Sequence, residues 1–203
     1  MPKIPYSLTL FATALAFFAV FAPMGNLPSD TEYSVATAES IVRRGSTAID
    51  PSPRLRFLVK GIDGRSYSNY GIGFALLFTP IVALSDVAGH LLPINKSYFE
   101  QFLLSFFGTF CASYIVLLFF LIFTELGFSK KTSLLSLAAI ASASILLPYS
   151  KIVHAEMPTT VLLLWFILWV AKNRRLDLSG GLLYGLTASF LFLLKPGNVC
   201  YSL

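Results

Sequence analysis

The chain has 203 residues, is 56% hydrophobic and 12% charged, and carries a formal net charge of +5. With a mean hydropathy of +0.73, that composition excludes an ordinary soluble domain and a disordered segment. Apolar runs recur along its whole length, so the expectation is a polytopic all-α membrane protein, whose basic balance reports loop orientation and lipid headgroups rather than nucleic acid.

Tyr6 to Phe21 is a short apolar run preceded by Lys3. Its length is near that of a signal-peptide core, but the chain beyond it does not resemble a secreted domain, so it is read as a first membrane helix. Pro23 to Asn69 is the one long polar stretch. Within it, Thr31 to Arg44 has helical periodicity, with Val35, Ala38, Ile41 and Val42 on one face and Gly45 as the stop. Pro51 and Pro53 come after it, and then Asp63-Gly64, a turn signal.

Tyr70 to Leu92 is apolar but holds Pro80, Asp86 and His90. Tyr98–Thr124, Leu134–Leu147, Met157–Ala171 and Leu182–Leu194 complete the apolar runs; several fall short of the ~20 residues of a straight span. Cys111 and Cys200 lie in or beside apolar runs, far apart in sequence, and are read as packing residues. Gly181 and Gly185 form a small-xxx-small pattern for close helix packing. No nucleic-acid module and no zinc-ligand spacing is present.

The basic short loops, Lys130-Lys131 and Lys172–Arg175, are two helices apart and so share a side, which the positive-inside rule makes cytoplasmic. Two schemes satisfy this. In one the N-terminus is cytoplasmic and Tyr70–Leu92 is a re-entrant or surface-lying helix; in the other the N-terminus is outside and every run spans. Both schemes place the chain's two acidic sites on one membrane face.

The first of these sites is Ser29-Asp30-Thr-Glu32-Tyr33. It fits a capping box, and acids suit a helix N-terminus, which needs nothing more than this spacing; the competing reading makes Asp30 or Glu32 a general base that orients an acceptor. The second, His154-Ala-Glu156-Met-Pro158, reads either as a helix start with Pro158 in its first turn or as a working acid with a histidine. Two ligands are too few to claim a metal site, so the cofactor is left unassigned, with a divalent metal an open alternative that the ligand count does not support. Tyr67 and Tyr70, before Gly71 and Gly73, suit either interface anchoring or a wall for sugar or phosphate; the Lys-Ser/Thr ending of a phosphate loop is absent. Lys151 and Lys195 are cations for snorkelling or for a phosphate.

In order along the chain, Asp30-Thr-Glu-Tyr33, Ala38-Glu-Ser-Ile-Val-Arg-Arg-Gly45, Asp63-Gly-Arg-Ser-Tyr-Ser-Asn-Tyr-Gly-Ile-Gly73, Leu126-Gly-Phe-Ser-Lys-Lys131, Tyr149–Pro158 and Lys195-Pro-Gly-Asn198 together resemble the integral-membrane glycosyltransferases of the GT-C fold. The closest group is that of protein O-mannosyltransferases and lipid A aminoarabinose transferase. The resemblance implies a GT-C-like helical bundle with a long first extracytoplasmic loop, about residues 23–97, containing surface or re-entrant helices. It implies transfer of a sugar from a polyprenyl- or dolichyl-phosphate carrier to an acceptor at the extracytoplasmic face of a plasma or inner membrane. The family's catalytic acid maps to Asp30, with Glu32 an open alternative because the family's Asp stands four before the tyrosine, where this chain has Ser29. A second acid maps to Glu156, where the family more often has Asp. Tyr67, Tyr70, Lys151, His154 and Lys195 are the implied substrate-binding residues, and lipid-phosphate donor and membrane lipids the implied partners. Family members are much longer, so residues 1–203 correspond to the N-terminal part of a single transmembrane domain, expected to be inactive without its C-terminal half or a partner subunit. A non-catalytic membrane remnant is the competing reading; a transporter is disfavoured because the acids stand at helix mouths.

Overall fold

The computed structural model describes residues 6–22, 29–173 and 178–194. Among them the chain is mostly helical, with one two-stranded hairpin. In order these are α1 (Tyr6–Ala19), α2 (Ser29–Arg44), β1 (Leu58–Lys60), β2 (Ser66–Ser68), α3 (Ile72–Leu91), α4 (Lys96–Glu125), α5 (Lys130–Ala143), α6 (Leu146–Ser150), α7 (Glu156–Lys172) and α8 (Leu178–Leu194). Two of them, α3 and α4, are long and apolar enough to cross a membrane. At the α-helical rise they measure about 30 and 45 Å. α5 and α7, with 14 and 17 residues, fall short of the ~20 of a straight crossing.

The chain divides into two compact units. Met1–Pro23 with Ser105–Thr187 form the first. Its core is mainly apolar, with Phe18, Ala112, Ile115, Leu118, Leu137, Met157, Leu164 and Leu168 buried, and Thr109, Ser113, Ser133 and Ser150 are buried as well. Ring pairs tie α1 to α4, with Tyr6 to Phe120 at 5.4 Å and Phe11 to Phe110 at 5.5 Å between centroids. The turn from α4 to α5 is chemically determined. Gly127, at φ +83°, donates its N–H to Thr124 O, and Phe128 donates to Phe123 O. The Phe123 and Phe128 rings meet at 5.8 Å. This is a Schellman motif with its hydrophobic contact. Ser129 then caps α5 by accepting from the Thr132 N–H. The Leu126-Gly-Phe-Ser segment is therefore a stop-and-start signal in its own right. Downstream, the run Leu134–Leu147 does not form one helix: α5 ends at Ala143, Ser144 is extended, and the short α6 comes next in the chain.

Met24–Leu104 with Ala188–Leu203 form the second unit. Here α2 packs on α3. Of the face predicted for α2, Val35 and Ala38 are buried and Ile41 and Val42 half-buried. The buried face also carries Thr31, Ser34, Thr37 and Ser40, three residues apart. Short hydroxyl side chains let two helices approach closely, and backbone acceptors satisfy them: Thr37 Oγ1 donates to Tyr33 O at 2.8 Å and Ser40 Oγ to Ala48 O at 2.6 Å. Gly45 stops the helix at φ +60°, its N–H bonded to Ile41 O. The Asp63-Gly64 turn joins β1 and β2 as an antiparallel hairpin with Val59 opposite Tyr67.

α3 runs unbroken through Pro80. Asp86, which made it look a poor span, is paired within the unit by Arg43 and Lys96.

Candidate functional site

The sequence-predicted residues fall into two groups, one in each unit. In the second unit, Asp30 and Glu32 stand in the first turn of α2, where carboxylates complement the helix dipole. Both are half-buried. Between and beside them Thr31 and Tyr33 are buried. The Tyr33 hydroxyl accepts the Phe57 N–H at 2.8 Å, and its ring meets that of Tyr70 at 5.4 Å. Tyr70 is pushed above the usual tyrosine range by burial first, then by the charge of Asp30 and by Tyr33. Asp30 and Tyr70 thus belong to one electrostatic neighbourhood. Tyr70 also lines a cavity of about 160 Å³ with Ser34, Thr37, Thr47, Tyr67 and Ser68. Every polar side chain on that lining is a neutral hydroxyl.

Tyr67 is only partly available to a ligand. Its hydroxyl donates to Asp63 Oδ2 at 2.6 Å, and Asp63 Oδ1 accepts the Arg65 N–H at 3.1 Å. The Tyr67 bond holds the Asp63 carboxyl below its ordinary range and Tyr67 above its own.

In the first unit, Glu156 opens α7, with Pro158 in the first turn as its sequence position suggests. Glu156 O accepts from Thr160 Oγ1, and His154 O accepts the Met157 N–H. The His154 ring lies 5.8 Å from that of Tyr149. Lys151 is exposed, with Nζ 5.1 Å from the centroid of Phe21, a cation–π contact. Lys195 lies outside the described residues. Among the described residues, no three His, Cys, Asp or Glu side chains gather to hold a metal ion.

Sequence reading missed a charged cluster in the second unit. Arg43 donates to Glu39 Oε1 at 2.8 Å, to both Asp86 oxygens at 3.3 Å, and to Glu100 Oε2 at 3.1 Å. Lys96 pairs with the same Asp86. One guanidinium therefore joins α2, α3 and α4, using the planar fork that lysine lacks. Burial alone would pull Arg43 down; the hydrogen bond to Asp86 and the charges of Glu39 and Asp86 outweigh it and hold the group above its ordinary value. The cluster borders a cavity of about 500 Å³ that Arg54 and Gln101 also line. A signal existed: Asp86 and Glu100 sit in apolar helices, and buried carboxylates require partners.

Comparison with family models, with curated proteins and with solved structures gave no match.

Proposed function

We propose that this chain is part of a GT-C-type membrane glycosyltransferase, which transfers a sugar from a polyprenyl- or dolichyl-phosphate carrier to an acceptor at the extracytoplasmic face. The observation that supports it most is the first turn of α2. Asp30 there shares its surroundings with Tyr70, beside a cavity bordered by neutral hydroxyls. Neutral hydroxyl linings suit a sugar better than an ion, since they offer donors and acceptors with no charge to desolvate.

In this reading Asp30 accepts the proton of the acceptor hydroxyl or amine as that group attacks the anomeric carbon. The carbon–oxygen bond to the carrier phosphate breaks, and the lipid phosphate leaves with the electron pair. The GT-C-like arrangement, with residues 23–97 as the first extracytoplasmic loop, and the roles of Glu32, Glu156, Lys151, His154 and Lys195 belong to the same proposal. The charged cluster does not favour transport. Asp86 lies near the end of α3 and Glu100 in the second turn of α4, and both are ion-paired with Arg43; a transport path places its acids at mid-membrane depth.

The test is sugar transfer from labelled polyprenyl-phosphate donors, hexose and pentose, in membranes of cells that carry or lack the gene. Asp30→Asn keeps the size of the side chain and removes the base, so transfer should fall by about 10²–10⁴ with the protein level unchanged. In the native cells, where a C-terminal half or partner subunit is supplied, equal transfer with and without the gene would end the proposal; a null effect of Asp30→Asn with a large effect of Glu32→Gln would move the base to Glu32.

A further inference from the structure

The β1–β2 hairpin turns apolar side chains outward. Phe57 is 73% exposed, Val59 54%, and Ile62, at the tip, is fully exposed. Val59, in β1, stands directly across the ladder from Tyr67, and Phe57 is the residue just before the strand. The Tyr67 ring lies over Gly61, where even a Cβ would meet it at 2.5 Å. Three unpacked large hydrophobics on a short hairpin constitute a patch that needs a cover.

Charge identifies the cover. Arg54, Arg56, Lys60 and Arg65 surround the patch in sequence. The hairpin's single acid, Asp63, is engaged by Tyr67 and by the Arg65 side chain, 3.7 Å away. Lys60 and Arg65 border a cavity of about 560 Å³ together with Arg44 and Ser66; its one acid, Asp50, is paired with Arg44. Apolar tip and cationic collar are the two components of an anionic lipid surface contact, one entering the acyl boundary and the other meeting phosphate. Position agrees. Ser68 precedes Ile72, the first residue of the span-length α3, by four residues, which extended chain covers in roughly 14 Å.

We infer that the hairpin of residues 57–68 docks on the anionic phospholipid headgroups around the mouth of α3, with Ile62 and Phe57 inserted and Lys60 and Arg65 on phosphate. The inference does not depend on sugar transfer.

The test uses the full chain reconstituted in bilayers of phosphatidylcholine, or of an equal mixture with phosphatidylglycerol. Cys111→Ala and Cys200→Ser remove the native thiols, and Ile62→Cys carries an environment-sensitive dye. In the anionic bilayer the dye should be quenched by nitroxide-labelled lipid and protected from aqueous iodide. Lys60→Gln with Arg65→Gln should lower the inserted-to-free ratio about fivefold for each charge removed. The neutral bilayer should resemble that variant. Iodide quenching equal in all bilayers would overturn the inference, as would lipid quenching that ignores both phosphatidylglycerol and the two substitutions. Protection from iodide without lipid quenching would also overturn it, since it would mean that protein covers the tip.

Discussion

The two units are both mostly helical and differ in what holds them. The first is closed by rings and branched aliphatics, with Phe18, Ile115 and Leu118 at its centre. The second buries Phe74, Phe78 and Val82 in the same way, and adds one arginine shared among three carboxylates. A close-packed core feels lost volume wherever it is removed, whereas a shared guanidinium is a single point on which several partners depend. The difference predicts where each unit breaks.

The largest effect belongs to the apolar unit. Phe18 is wholly buried. Phe18→Ala should cost about 3–5 kcal/mol, read as a large drop in thermal unfolding temperature in detergent. Phe17→Ala, at the neighbouring exposed position, should do little. Equal effects would show that α1 is not packed through Phe18.

Next is Arg43. Its removal strands Glu100, whose side chain is only 9% exposed, beside Asp86 and Glu39. The guanidinium itself is about one-third exposed, at 35%, so solvent screens part of the loss, and Arg43→Ala should cost about 2 kcal/mol, between the exposed and the buried limits for an ion pair. Arg43→Lys should recover only part of this, because an ammonium cannot hold both Asp86 oxygens while reaching Glu39 and Glu100. Full recovery by lysine would show that charge, and not the fork, closes the second unit.

Glycines sharpen the comparison at closer range. A Cβ on Gly73 would meet backbone atoms of Leu193 and Leu194 at 2.6 and 2.7 Å; on Gly108 it would meet Ser150 O and Ile152 O at 2.8 and 3.0 Å. The first obstacle is a helix backbone and the second is the end of short α6 and the loop beyond it, which yields more easily. Both Gly→Ala variants should destabilise by about 1–3 kcal/mol, Gly73→Ala the more. The reverse order would mean that the loop at Ser150–Ile152 is the stiffer wall.

Legibility in the sequence varied from element to element. α2 could be read almost to its ends, because its start is acidic and Gly45 supplies a left-handed stop. The hairpin could not: Asp63-Gly64 marks the turn, but strands of three residues are too short for alternation to register. α4 and α5 begin earlier than their apolar runs, at Lys96 and Lys130, since Asn95 and Ser129 bond the first-turn N–H groups and let polar residues start a helix. Asp30 and Glu32 were visible as candidates for the opposite reason, being acids in an apolar chain. Their neighbour Tyr70 was visible only as an aromatic; that Asp30 acts on it is a consequence of α2 folding back over the segment after β2. Of the Arg43 cluster only the Glu39–Arg43 pair, four apart on α2, could be read from spacing; Asp86 and Glu100 are brought in by helix packing from 43 and 57 residues away.

The smallest effect tests an exposed charged contact, the Asp63–Tyr67 bond of the hairpin. Folding lowers the Asp63 carboxyl through the Tyr67 hydroxyl, so the bond stabilises the hairpin fully above the ordinary aspartate range and is lost as pH falls through the lowered value. Between pH 6 and 8, which leaves aspartate ionised and tyrosine protonated, the contribution should be flat. The Tyr67 ring carbon shift in a ¹³C-tyrosine sample should therefore hold constant at neutral pH and move only in acid, and Asp63→Asn should abolish the movement without unfolding either unit. A shift that moves near neutral pH would assign the titration to some other group and remove Asp63 from the turn's hydrogen-bond account.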